Sequence, residues 1–399
     1  MESSPIHVSA EEATRILGIT PSTLYAYVSR GFIRSIADRN NKKKRRYMLE
    51  DLEKLLLRKK TEQSTHTISQ NTLQWGSPIL ESKISLIDNG KLYYRGFNVL
   101  ELVTKNTFEE VVSLIWTGSL DTLHEQFSIS ANQKNFISQI TYSLQDIQLF
   151  LLKLEAEDMH AYNLEQKSIE KIGITILQSL VSALTNDFSS ITIAKKISNY
   201  YCKGIKNAEE LISTALILIA DHELNASSFT GRIVASTGAT LYQVIIAGLS
   251  ALSGFRHGGS IFKLDLMVNE LQIDLQYEKN VKKRLKRGDS IIGFGHNLYP
   301  EGDIRAKILL DKINKYYNNS LNFSYLMKIN DVCCEVTGQK ANIDFALLVL
   351  SKILDQKVEF GQLLFALGRI AGWIGHAIEE YEEKRLLRPR AKYTGVQPH

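Results

Sequence analysis

Apolar residues recur at helical spacing along most of this chain. Leu241, Val244, Ile245, Leu249 and Leu252 share one face of a helix, and so do Leu364, Leu367, Ala371, Ile374, Ile378 and Tyr381, while strict alternation of apolar and polar residues is scarce. Prolines stand only at positions 5, 21, 78, 300, 389 and 398. Residues 79–299 and 301–388 therefore contain none to interrupt a helix. A mostly α-helical body is expected, with no solenoid period and no low-complexity tract. The polar stretch over 61–76, rich in Ser, Thr, Gln and Asn and closed by Gly76, reads as a boundary. This predicts a small domain over 1–62, a linker over 63–76, and the body from residue 77.

The first domain has its own pattern. Val8-Ser9-Ala10-Glu11-Glu12 opens a short helix carrying Ala13, Ile16 and Leu17, and Gly18 stops it. Thr20 then caps a second helix with Pro21 in its first position and Leu24, Tyr25 and Val28 on its faces, ending at Gly31. Phe32 to Ile36, a polar tip and the basic run Lys42 to Arg46 read as a β-hairpin, and a third helix is expected from Glu50 to about Lys59.

Length and composition narrow the class. At roughly 150 residues per domain, 399 residues suggest two or three domains. The chain is 44% hydrophobic and 23% charged. No apolar run approaches the ~18 residues of a membrane span, and no apolar stretch follows Met1. Cys202, Cys333 and Cys334 include a cramped adjacent pair and no C-x-x-C spacing, which supports neither a disulfide framework nor a zinc site. A soluble, cytoplasmic protein without a metal is expected.

Charge changes the picture. Residues 1–64 hold 13 Lys and Arg against 8 Asp and Glu, whereas the remaining residues hold 35 of each. The whole excess of +5 thus sits on the first domain, as suits a module for a polyanion joined to a neutral body with another task. This domain resembles the MerR-type winged helix-turn-helix, through T-L-Y-x-Y-x-x-x-G-x-I-R-S, the basic wing and R-Y-x-x-x-D-L-x-x-L. The resemblance implies that Pro21–Ser29 enters a major groove. Thr23 and Tyr25, with Lys42, Lys43, Lys44, Arg45 and Arg46 of the wing, are then the candidate DNA contacts. A solvated loop on a protein-docking module is the other reading.

The body carries four short motifs. Asp221 to Ser227 follows an apolar helix over 211–220, which places His222 at a helix boundary. Gly254 to Gly259 puts His257 in a turn whose glycines would let a substrate approach the backbone. Gly293-Phe294-Gly295-His296 repeats the device, and nine residues later Arg305 can clamp a carboxylate with two hydrogen bonds. Asn342-Ile343-Asp344-Phe345 sets a lone acid among apolar neighbours. Three histidines, an acid and several arginines suit proton transfer beside a carbonyl on a polyanionic substrate.

In order and spacing the body resembles citrate synthase of the Si type. The run is D-H-E-L-N-A-S, R-x-V-A-S-T-G-A-x-L-Y, H-G-G, G-F-G-H-x-x-Y-x-x-x-D-x-R-A, N-x-D-F, R-x-x-G-W-x-x-H and R-P-R, over about residues 76–395. The resemblance implies a helical homodimer with a large domain over 77–256 and 362–399 and a small mobile one over 257–361. It implies Asp344 as the base that removes a methyl proton from acetyl-CoA, His257 as donor to the thioester oxygen and His296 as the group polarising the ketone of oxaloacetate. Arg305, Arg369 and Arg388 become the carboxylate clamp with His222 as a further donor, Arg388 coming from the other subunit. No tightly bound cofactor is implied; the acyl-CoA is a cosubstrate.

Three departures border the acyl-CoA side. Asn297 stands where Arg is common, Ile304 where Pro is usual, and Ser260-Ile261 where Ala-Asn is frequent. They leave open a 2-methylcitrate synthase using propionyl-CoA. A reading from another class is a DNA-binding regulator whose synthase-like body senses metabolites; the presence of Asp344 beside His257 and His296 favours the enzyme. Trp373 and His376 are expected to pack helices rather than bind ligands.

Overall fold

The computed structural model describes residues 7–29, 33–38, 45–49, 51–52, 80–121, 139–272, 274–391 and 393–397. The chain divides into two compact units, Met1–Glu81 and Ser82–His399. The expected linker over 63–76 and most of the expected third helix lie outside the described residues, as do Lys42, Lys43 and Lys44.

In the first unit, β1 (His7–Val8) leads into α1 (Ala10–Leu17). Ser9 and Glu12 form a reciprocal capping box at the helix start, and Gly18 closes the end at φ 59°. Helix α2 (Pro21–Ser29) follows, then the antiparallel strands β2 (Ser35–Ala37) and β3 (Arg45–Met48) of the predicted hairpin. The sequence pattern missed β1, whose two residues are too few to show alternation; it pairs with β3, giving the sheet order β1-β3-β2. Ala13, Leu17, Leu24, Ile33, Tyr47 and Leu52 make the core.

The second unit opens with a small antiparallel sheet, β4 (Ser85–Asp88), β5 (Lys91–Tyr94) and β6 (Phe97–Asn98). Helices then dominate. They are α3 (Val99–Lys105), α4 (Phe108–Thr117), α5 (Leu144–Glu157), α6 (Gln166–Thr185), α7 (Ile193–Tyr201), α8 (Ala208–Ile219), α9 (Ala226–Ser236) and α10 (Leu241–Leu252). After these come α11 (Ser260–Gln272), α12 (Tyr277–Lys286), α13 (Ile304–Tyr317), α14 (Leu321–Thr337), α15 (Ile343–Ile353) and α16 (Val358–Glu383). None of the described helices is long and apolar enough to cross a membrane.

Helix α16 organises the unit, packing against α4, α6, α8, α9, α10, α11 and α15. The sequence predicts one apolar face for it. Instead every residue from Phe360 to Ile378 is buried, because neighbours cover it on all sides. Close approach rests on glycine: a Cβ at Gly368 would lie 2.8 Å from the Leu216 carbonyl oxygen, and one at Gly372 would lie 2.4 Å from that of Ala220. On the same helix Glu380 is buried and accepts from Arg232 Nε at 2.8 Å, tying α9 to α16. Trp373 and His376 are fully buried in α16.

Candidate active site

Helix α8 ends at Ile219, and the loop that follows is anchored from several directions. Asp221 accepts from Ser85 Oγ at 2.5 Å and is paired with His376 Nε2 at 3.2 Å. Ser85 Oγ in turn accepts the N–H of Glu223 at 2.9 Å, at a residue held in the left-handed region with φ 50°. These bonds fix His222 between them as a buried side chain, its Nε2 3.1 Å from Tyr299 Oη.

Asn225 caps α9, accepting the N–H groups of Ser227 and Ser228. Ser227 Oγ lies 2.9 Å from His257 Nε2 and 2.7 Å from Asn225 Oδ1. The His257 ring also stands edge-on to Phe365 of α16, with centroids 5.8 Å apart. The glycines after it have a use within the turn itself. A Cβ at Gly258 would sit 2.5 Å from Leu252, and one at Gly259 2.5 Å from the Ser253 carbonyl oxygen, so both are needed to close the turn onto the end of α10.

The remaining motifs are laced together by backbone. Asn342 N–H donates to Gly293 O at 2.9 Å, Gly295 N–H donates to Lys340 O at 2.8 Å, and Phe294 and Ala341 form a β-bridge. The loop that carries His296 is thereby tied to the start of α15, where Asn342 caps the helix by accepting the Asp344 N–H at 3.1 Å. His296 Nδ1 accepts the Leu298 N–H at 3.2 Å, and its ring centroid lies 5.1 Å from that of His222.

Electrostatically the cluster sets two arginines beside histidines that burial keeps uncharged. Burial pushes His257 and His296 down to about 4, and the nearby Arg305 and Arg369 guanidiniums add to the effect on His257. His222 is depressed well below its ordinary value by burial and then by Arg305 and Arg369. Asp344 is raised by burial, against the pull of a hydrogen bond from Ser260. Arg369 is buried; its Nε donates to Ile219 O at 2.8 Å, while among the described residues its Nη2 has no acceptor. Burial lowers its pKa to about 10, which leaves it charged at neutral pH.

The structure thus brings His222, His257, His296, Arg305, Arg369 and Asp344 into one neighbourhood. In Arg305 the Nε/Nη2 edge is taken, Nε and Nη2 donating to Asp303 at 2.9 and 2.8 Å. The reason is local, since Asp303 is the N-cap of α13 and Arg305 is two residues on. Arg388 is not part of this group; it stands exposed in the segment after α16, where Leu387 N–H donates to Ser236 Oγ at 3.1 Å. In the separate first unit, Tyr25 is exposed on α2 and Thr23 pairs with Thr20 at 2.9 Å. Arg45 donates to Ser35 at 3.0 Å and Arg46 pairs with Asp38 at 3.0 Å, so the described wing cations are partly engaged within the hairpin.

Sequence reasoning assigned no contact to Ser227, Tyr299, Asp303 or Phe365. Tyr299 and Asp303 stand at fixed places in the G-F-G-H motif, and Phe365 precedes Arg369 by one helical turn, with the guanidinium 5.2 Å from its ring centroid.

Comparison with known proteins agrees with this geometry. The family model for the citrate synthase C-terminal domain matches residues 73–172 and 198–390, and that for a helix-turn-helix domain matches residues 8–60. Citrate synthase 2 of Bacillus subtilis is 30% identical over 79% of this chain and 93% of its own length. 2-Methylcitrate synthase 1 of Corynebacterium glutamicum is 26% identical over 78% and 91%. The citrate synthase of Thermoplasma acidophilum, solved as a ternary complex with carboxymethyl coenzyme A and oxaloacetate, superposes with a TM-score of 0.70 at 25% identity, covering 81% of this chain and 95% of that one. Histidines, arginines and a carboxylate drawn from distant motifs into one neighbourhood, in a helical frame shared with these enzymes, lead to one conclusion: the chain belongs to the citrate synthase family.

Proposed function

We propose that this enzyme condenses acetyl-CoA with oxaloacetate and water to give citrate and CoA, in a pocket built by His222, His257, His296, Arg305, Arg369 and Asp344. The observation that carries the reading is Arg369 Nη2, a buried cationic donor without an acceptor among the described residues, beside histidines that are held neutral. A dicarboxylate is an acceptor suited to that donor, and Arg305 Nη1 offers a second.

Asp344 takes the methyl proton. A thioester α-proton is too weakly acidic for an isolated carboxylate, so the enolate must be stabilised as it forms. The Ser227 hydroxyl donates to Asn225 Oδ1 at 2.7 Å and lies 2.9 Å from His257 Nε2, which fixes the ring that serves as donor to the thioester oxygen. His296 Nδ1 is an acceptor, so Nε2 carries the hydrogen that polarises the ketone. Hydrolysis of the citryl-CoA thioester makes the sequence one-way. The acyl-CoA is a cosubstrate, and the chemistry uses no tightly bound cofactor.

Propionyl-CoA is the competing acyl donor, since the relatives include enzymes of both names. The proposal extends to a homodimer in which Arg388 completes the clamp of the partner's site, to a small domain over 257–361 that closes on the rest of the body, and to duplex DNA as the ligand of the first unit. A thiol-release assay with oxaloacetate and either acyl-CoA tests the chemistry. Asp344→Asn should keep oxaloacetate binding, read as a thermal shift, and lose roughly 10²–10⁴ in turnover. Retention of more than about a tenth of turnover, a barrier change under about 1.4 kcal/mol, removes Asp344 as the base.

A further inference from the structure

Ser260 opens α11, three residues after His257, and its N–H donates to the His257 carbonyl at 2.9 Å. Its hydroxyl donates to Asp344 Oδ2 at 2.5 Å, across 84 positions of sequence. Among the described residues, no partner bonds Asp344 Oδ1. The backbone of the acid is held separately, by the Asn342 cap. One carboxylate oxygen is therefore anchored to the turn that carries His257, and the other is left open.

We propose that Ser260 is the positioning residue of the base: it grips Oδ2 of Asp344 so that Oδ1 is presented to the α-carbon of the acyl-CoA held by His257. The proposal rests on Asp344 being the base. The sequence marked Ser260 only as a departure from the alanine frequent at that place in the family, and alanine could make no such bond. The grip uses two rigid helix starts, α11 and α15, which pack against each other, so orientation is set before substrate arrives.

The same bond has an electrostatic consequence. Donation to a carboxylate favours its ionised form. The groups acting on Asp344 are Ser260 from α11 and, at the start of α13, Arg305, which favours ionisation, and Asp303, which opposes it. Loss of the hydroxyl therefore leaves burial less opposed, and the base stays protonated to higher pH.

The test is the pH dependence of kcat/KM for acetyl-CoA in full-length wild type, Ser260→Ala, Ser260→Cys and Ser260→Thr, with Asp344→Asn alongside. Ser260→Ala should move the acid limb up by about one pH unit and lower kcat about tenfold while the KM for oxaloacetate stays within twofold. Ser260→Cys, nearly the same size with a weak donor, should shift the limb the same way, and Ser260→Thr should bring it back toward wild type. An unmoved limb with unchanged kcat in Ser260→Ala overturns the proposal. So does a fall in kcat shared equally by Ala and Thr with no limb shift, which marks packing alone. Should Asp344→Asn retain more than a tenth of kcat, the base assignment itself fails and this role falls with it, a result separable from the other two because it appears in the Asp344 variant.

Discussion

Gly372→Ala tests how the frame holds the catalytic loop. Gly372 lies where α16 crosses the end of α8, and an added Cβ would meet Ala220 O at 2.4 Å, Asp221 Oδ1 at 2.5 Å and Asp221 Cβ at 3.1 Å. Ordinary contact begins near 3.4 Å, so helix and loop must part by about 1 Å. Neither obstacle can swing aside cheaply, since one is a backbone carbonyl and the other a carboxylate fastened by Ser85 and His376. Overpacking costs about 1–3 kcal/mol. Breaking a buried hydrogen bond to a charged group adds about 1.5–3 kcal/mol. The helix propensity gained on replacing glycine returns about 1 kcal/mol. The net loss is about 1.5–5 kcal/mol and appears as a fall of several degrees in Tm. Because His222 is the next residue after Asp221, a shift of about 1 Å should also lower kcat/KM for oxaloacetate on the order of 10²-fold. Gly231→Ala on α9 is the matched control: there the Cβ finds Val244 Cγ1 at 3.4 Å and nothing closer, so the change should be neutral or stabilising by up to about 1 kcal/mol. Differential scanning calorimetry and the thiol-release assay read both. A Gly372→Ala protein with wild-type Tm and oxaloacetate kinetics refutes the reasoning, as does a Gly231→Ala protein that loses as much.

Protonation gives a second expectation: with His257 and His296 lowered to about 4 from 6.5, the unfolded chain binds more protons between those values. Stability contributed by the neutral histidines is therefore complete above pH 6.5 and falls as pH drops toward 4; melts across this window should show it, and His257→Gln should flatten the slope. Arg388→Ala and Asp344→Asn, each nearly inactive alone, should recover about a quarter of wild-type activity when coexpressed, if the chains pair at random and Arg388 serves the other subunit. Confirmed heterodimers without recovery would confine Arg388 to its own chain. Duplex DNA binding should weaken steeply with salt, and neutralising Lys43, Lys44 and Arg45 should flatten that dependence; no affinity at low salt would make the first unit a docking module.

What the sequence determined by itself is local. Gly18 ends α1, and Asn225, Asp303 and Asn342 cap the helices that follow them, because a short polar side chain or a missing Cβ acts within three or four residues. The hairpin of β2 and β3 and the helical body were legible for the same reason, and motif order was enough to name the histidines, Arg305, Arg369 and Asp344 as candidates. Tertiary structure decided the rest, through contacts between residues far apart in the chain. It buried α16 on every side, where the apolar spacing shows only one stripe. It left Arg369 Nη2 without an acceptor among the described residues, because the Ile219 carbonyl at the end of α8 reaches only Nε. It joined Ser260 to Asp344 because α11 and α15 start side by side. A periodic pattern states which faces seek cover, while the distances between guanidinium, imidazole and carboxylate depend on how those faces interlock.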